Sequence, residues 1–347
     1  MSEPANRFTR LPDLALRTYG GAVIAASDES FAERENLIKP GPPVFTPLTF
    51  GAKGQVYDGW ETRRRREPGH DWALVRLGLP GVIRGVVIDT AHFTGNHPQY
   101  ASVEACAAEG HPSAAELIEH AKWTTIVPKT PLAGDTRHEF PVPADGEADR
   151  RFTHVRLTIH PDGGVARLRV HGEVVPDPAL LAGLTIDLAA LENGGAIIGC
   201  SDMFYSSPVN LIAPGLARNQ SEGWETRRRR DDGNDWVTLR LAAQGRIRLA
   251  ELDTTNLIHN APSHARLTAV DARTAPPGDP SAWFELLPRT RLQPDTRHRF
   301  RLDADRPATH VRLDIYPDGG MARLRLYGEL TPAGLGELTA RFSAGAP

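Results

Sequence analysis

Lysine is almost missing from this chain: all but four of its 40 basic residues are arginine, the exceptions being Lys39, Lys53, Lys122 and Lys129. An excess of positive charge is missing too. The formal net charge is −3, which leaves no electrostatic footprint for nucleic acid or an anionic membrane surface. Cysteine is scarce. Cys106 and Cys200 fall at non-equivalent places and form no disulfide framework, so a reducing compartment is expected. No apolar run approaches the ~20 residues needed to cross a bilayer. The opening residues, MSEPANRFTRLPD, have no apolar centre of a secretion signal. The sequence also lacks the CxxC, HExxH, GxSxG and GxxxxGK[ST] patterns, which counts against several common enzyme classes. The expectation is a cytoplasmic protein with no membrane and no nucleic-acid partner.

What the chain does contain is a long internal repeat. Gly59-Trp60-Glu61-Thr62 and the four arginines that follow return as Gly223-Trp224-Glu225-Thr226 and four arginines. Asp71-Trp72 returns as Asp235-Trp236, and Asp89-Thr90 as Asp253-Thr254. Further on, Asp135-Thr136-Arg137-His138 matches Asp295-Thr296-Arg297-His298, and Pro161-Asp162-Gly163-Gly164 matches Pro317-Asp318-Gly319-Gly320. The order is kept and only the spacing drifts, so this is tandem duplication. The period is far longer than a solenoid repeat, which makes each copy a whole domain. The copies are placed at residues 1–176 and 177–347, joined near the proline-rich Val175-Pro176-Asp177-Pro178.

Local patterns are mostly those of strands. The segments from Trp72 to Leu77, from Val82 to Ile88 and from Val155 to Ile159 are short, rich in β-branched residues and bounded by turn residues. Pro-Asp-Gly-Gly reads as a tight turn. The stretch from Ala166 to Val170 alternates apolar and charged residues, as a half-buried strand does. One helix is expected, from Ser113 to Ala121, where Ser113 stands three residues before Glu116. The paired tryptophans Trp60/Trp224 and Trp72/Trp236 are expected in the core, and His138/His298 and His154/His310 in structural roles. Many short strands with Gly/Pro turns give an all-β fold of two sandwich or jelly-roll domains.

Two stretches could carry chemistry. If the run from Arg63 to Arg66 is a strand, Arg63 and Arg65 face one way and Arg64 and Arg66 the other. Guanidinium forks suit carboxylates, so the run reads either as an anion-binding row or as ion pairs with Glu61, Asp58 and Asp71. The loop after Asp89 is dense in polar residues: His92, Thr94, Gly95, Asn96 and His97. In the second copy Asn256 stands where His92 does, while Asp253 and Asn260 repeat Asp89 and Asn96. The copy that keeps its titratable residue is the better catalytic candidate, and histidine suits proton transfer near neutral pH. His92 and His97 are a weak metal-ligand pair.

The string from Asp58 through the arginine run, then Gly69-His70-Asp71-Trp72, Arg76-Leu77-Gly78, Asp89-Thr90 and His92-Phe93-Thr94-Gly95-Asn96 closely resembles the allantoicase family over nearly the whole chain. The resemblance implies two tandem galactose-binding-like jelly rolls and hydrolysis of allantoate to ureidoglycolate and urea. On that reading Arg63 or Arg65 holds the substrate carboxylate. Thr94 and Asn96 help to bind the ureido groups. His92 takes one proton-transfer role and Glu61 or Asp89 the other. No cofactor is assigned, a divalent metal stays open, and a homo-oligomer is expected. The competing reading is a non-catalytic jelly-roll pair that binds a small polar or sugar ligand, since fold alone does not separate the two.

Overall fold

The structure is a computed structural model that describes residues 8–144, 146–303 and 305–344. The chain divides into two compact units, the first ending at Val175 and the second running Pro176–Ser343. Each unit is a β-sandwich built on one long strand.

In the first unit that strand is Asp71–Asp89. Its first part pairs with Ala22–Ala26 and with Arg151–His160. Tyr100–Cys106 and Thr124–Pro131 extend the same sheet. Between Arg76 and Gly81 the register with Arg151–His160 jumps. Beyond the jump only Gly81 and Val82 keep that partner, and the strand goes on to pair with Arg167–Val174 and Arg137–Pro141, which form the second sheet. The sequence suggested two separate strands here. They are one, because the Gly78-Leu79-Pro80-Gly81 stretch bends the strand without ending it. Glycine is required at that corner: a Cβ on Gly78 would sit 2.3 Å from the Tyr19 carbonyl oxygen, and one on Gly81 2.1 Å from that of Glu173.

Side chains alternate across each sheet. In the second sheet Val86, Ile88, Leu168 and Val170 point into the sandwich and are at most 1 % exposed, each burial contributing on the order of 1.5–3 kcal/mol. Their neighbours Val87, Asp89, Arg167 and Arg169 therefore share the outer face. On the outer face of the other sheet lies the expected helix, Ala114–His120. Ser113 and Glu116 form a reciprocal capping box, and Leu117 packs on Leu74 and Cys106.

The second unit repeats this plan around Asp235–Asp253, with His264–Val270, Phe284–Arg291 and Ala308–Tyr316 in one sheet and Arg297–Arg301 and Arg323–Leu330 in the other. The all-β tandem jelly-roll expectation holds. Trp60 and Trp224 are fully buried, each indole donating to a backbone carbonyl, of Asp28 and Asp202 respectively. Trp72 and Trp236 are only half-buried, because they lie on the outer face of their sheets. A helix the sequence reading missed, Pro332–Ala344, closes the chain, with Leu338 buried against Leu181 and Ala243. Gly334 and Gly336 weaken its helical signal. No described helix is long and apolar enough to cross a membrane.

Candidate functional site

The arginine run is not a strand: only Trp60–Glu61 is, and the chain then leaves the sheet. Arg63 donates from its Nε and its backbone N–H to the Asp28 carboxylate, at 2.8 and 3.0 Å, with its side chain 73 % exposed. Arg65 donates Nη1 to Asp71 Oδ1 at 2.9 Å, and its backbone N–H goes to Asp162 Oδ2 at 2.8 Å. The second copy repeats these pairs with Arg227–Asp202 and Arg229–Asp235, and Asp318 accepts the Arg229 N–H. The two arginines border a depression of about 410 Å³ with Ser27, Asp28 and Asp71. Arg63 Nε and Arg65 Nη1 are thus engaged by carboxylates of the fold, while Arg65 Nε is buried without a hydrogen-bond partner. Asp28 is held below the usual carboxylate range by hydrogen bonds from Arg63 and Ser30, which outweigh burial.

Glu61 and Asn96 are brought together. Asn96 Nδ2 donates to Glu61 Oε1 at 2.7 Å, and burial raises the Glu61 carboxyl against that hydrogen bond. The pair recurs as Asn260 Nδ2 on Glu225 Oε1 at 2.5 Å. Thr94 is exposed, and its carbonyl lies 2.8 Å from His97 Nδ1. His92 is exposed as well, with a left-handed φ of 68°. Its N–H donates to Asp135 Oδ1, its Nε2 lies 3.4 Å from the Pro43 carbonyl, and its ring stacks on Phe45. Asn256 has the same φ, donates its N–H to Asp295, and donates Nδ2 to the Ala217 carbonyl. Both residues tie a preceding loop to the same place. His92 and His97 are each turned to a carbonyl. Among the described residues no cluster of three or more His, Cys, Asp or Glu side chains could hold a metal ion.

Asp89 leads to a different place. It lines a cleft of about 450 Å³ on the outer face of the second sheet, with Asp13, Arg137, Arg167, Arg169 and His171 around it, Val87 on its floor and Pro40 to Pro43 along one side. Register explains the grouping. Arg167 pairs with Asp89, Arg169 with Val87, and Asp89 with Arg137, so alternate residues of three strands share one face. Arg167 is tied to Asp58 through Nη2 at 2.6 Å. Arg169 donates Nη2 to the carbonyls of Lys39 and Gly41, while its Nη1 lies 3.6 Å from Asp13 Oδ2. His171 Nδ1 meets the Leu11 carbonyl at 2.7 Å. Three buried nitrogens remain without a hydrogen-bond partner: Arg167 Nε, Arg169 Nη1 and His171 Nε2. Leaving such groups unmatched costs about 1–3 kcal/mol each, more when charged, and Asp13 Oδ2 and Asp58 Oδ1 are unmatched beside them, so the cleft concentrates unsatisfied donors and acceptors that a polar ligand would meet. Burial raises the Asp13 carboxyl, with Arg169 and His171 opposing it, and lowers Arg169, with Asp13 opposing.

The alternation from Ala166 to Val170 reads in the sequence as a half-buried strand. The alternation is right, but the polar face is a cleft and Arg167 is only 3 % exposed. A larger cavity of about 740 Å³ lies in the second unit against Trp236 and Trp283. Its arginines are engaged, Arg312 with Trp236 and Asp314 and Arg266 with Glu285, and it presents no such set of unmatched donors.

Fold and site together define a tandem jelly-roll protein with an arginine-lined cleft suited to a small carboxylate. The allantoicase repeat model matches residues 12–175 and 186–331. A probable allantoicase of Nocardia farcinica is 59 % identical, covering 93 % of this chain and 95 % of its own length, and the allantoicase of Dictyostelium discoideum is 42 % identical over 88 % and 84 %. A crystal structure of allantoicase from Saccharomyces cerevisiae superposes with a TM-score of 0.78 at 34 % identity, covering 92 % of this chain and 93 % of that one. The chain belongs to the allantoicase family.

Proposed function

We propose that this chain hydrolyses allantoate to ureidoglycolate and urea, that its two repeats meet at residues 176/177, and that the cleft of the first unit is the reaction site. The observation that carries the reading is the set of buried guanidinium and imidazole nitrogens left unmatched there. Allantoate carries one carboxylate and two ureido groups on a single carbon. Arg169, with Arg137 opposite, takes the carboxylate by charge-assisted hydrogen bonds. Asp89 accepts ureido N–H groups. The Leu11 carbonyl fixes the proton of His171 on Nδ1, which leaves Nε2 free to accept a proton, or to donate one when the ring is charged.

The reaction then needs two proton transfers. A proton is delivered to the leaving ureido nitrogen while the lone pair of the other ureido nitrogen closes a C=N bond. The C–N bond breaks and urea departs neutral. Water adds to the C=N carbon, keeps one hydrogen as the new hydroxyl and gives the other to the base, while the C=N electron pair returns to nitrogen, which yields ureidoglycolate. His171 and Asp89 are the assigned pair. His92 positions the Pro40–Pro43 loop, Glu61 with Asn96 and Thr94 supports the adjoining loop, and Arg63 and Arg65 brace the strand behind it. The enzyme is placed in the cytoplasm as a homo-oligomer. Purified protein given allantoate should release one urea per substrate together with ureidoglycolate and no ammonia. Ammonia as the first nitrogen product would overturn the reading.

A further inference from the structure

We infer that the first unit alone offers a carboxylate site, because the second unit fills the equivalent cleft with a carboxylate of its own, that of Glu251. The inference rests on the first-unit cleft being the allantoate site, and it concerns the duplicate of that cleft. Strand register aligns the two without ambiguity. Arg323 pairs with Asp253 and Arg325 with Glu251, as Arg167 pairs with Asp89 and Arg169 with Val87. Arg297 and Arg299 stand opposite Asp253 and Glu251, where the first unit has Arg137 and Glu139.

Val87 is thus exchanged for Glu251, and Glu139 for Arg299. Glu251 is 2 % exposed. One of its oxygens accepts from Arg297 Nε and Nη2, at 3.2 and 2.7 Å, and the other from Arg299 Nε at 2.7 Å. This two-arginine grip on one buried carboxylate is the coordination a bound substrate carboxylate would seek. Of the remaining donors, Arg325 Nη1 stays without a hydrogen-bond partner 3.5 Å from Asp187 Oδ2, as Arg169 Nη1 does beside Asp13, but another is claimed from within. Arg323 Nε, the counterpart of the unmatched Arg167 Nε, donates to the Gly215 carbonyl at 2.9 Å. Tyr327 stands where His171 does, so the second cleft has lost the imidazole as well. A substrate anion arriving there would have to displace a covalently tethered carboxylate that is already desolvated and doubly paired. In the first unit the same floor is a valine side chain, which makes no hydrogen bonds.

The test exchanges the paired residues. The double variant Val87→Glu with Glu139→Arg copies the second unit into the first, and Glu251→Val opens the second. Ureidoacetate, which has the carboxylate and one ureido group but no second ureido group to expel, serves as the probe in titration calorimetry on the full chain. Wild type should bind one ureidoacetate per chain. The double variant, melting near wild type, should lose affinity by on the order of 100-fold and lose urea release with it. Glu251→Val should keep the wild-type rate of urea release, and binding should move toward two per chain. Two probes bound per wild-type chain would overturn the inference even if neither variant folds. Full activity in a folded double variant would overturn it too while leaving allantoate hydrolysis intact. Conversely, one probe per chain with no urea from allantoate would keep the carboxylate site and remove the activity.

Discussion

At the residue scale, the proposed reading gives His171 the proton-transfer role expected of His92 from sequence and leaves His92 a positioning role. His92 drew notice because its duplicate is asparagine. The structure shows what the two share: a left-handed backbone, an N–H given to an aspartate, and a side chain reaching a loop carbonyl. Asparagine is one of the few residues that adopt such a φ readily. His92→Asn should therefore keep kcat near wild type. His92→Ala, with the Pro43 contact gone, should raise KM more than it lowers kcat, and Asn256→Ala should change neither. His171→Asn should lower kcat by about 10²–10⁴-fold with little change in melting. Steady-state kinetics on all four variants separate the roles. A folded His92→Asn protein with a kcat loss of that size would return the proton transfer to His92.

At the element scale, what could be read in the sequence was what depends on near neighbours. The helix Ala114–His120 was legible because Ser113 and Glu116 cap it within one turn. The long strand was split because Gly78, Pro80 and Gly81 carry turn chemistry, and only the sheets on either side show that the chain continues through the bend. The arginine run was visible and Asp71 stood among its expected partners, but Asp28 and Asp162 are 35 and 97 residues from the arginines they hold, so the sequence left an anion-binding row and ion pairing both open. The cleft was hidden for the same reason, since Asp89, Arg137 and Arg169 meet only through strand pairing. The helix itself has a measurable job. Leu117 is 1 % exposed against Leu74 and Cys106, so Leu117→Ala should cost about 2–5 kcal/mol in denaturant unfolding. Because the helix covers the sheet opposite the one bearing the cleft, kcat of the folded fraction should not move. A loss below 1 kcal/mol would mean the helix is a loose cover.

At the scale of the whole molecule, buried histidines couple stability to pH. His154 is 3 % exposed, next to Arg76, and burial first, then that charge, pushes its pKa down to about 4. His310 in the second copy is lowered by burial and by Arg240. The unfolded chain therefore binds protons that the folded chain refuses. Stability from these groups is fully present above the ordinary histidine value near 6.5 and is lost as pH falls from there toward 4. Melting temperature should drop across that window, and His154→Gln should flatten the slope. An identical slope in the variant would assign the loss to other groups. The long strand has a consequence of a different kind. It works as a reading frame: one residue added or removed at its bend would turn Val87 and Asp89 into the sandwich and push Val86 and Ile88 out to the arginines. The two copies differ in length elsewhere, yet Asp71–Asp89 and Asp235–Asp253 both hold 19 residues. Substitution inside that frame leaves the parity of every other position intact, so side-chain exchange is the route by which one cleft could be closed while its twin stayed open.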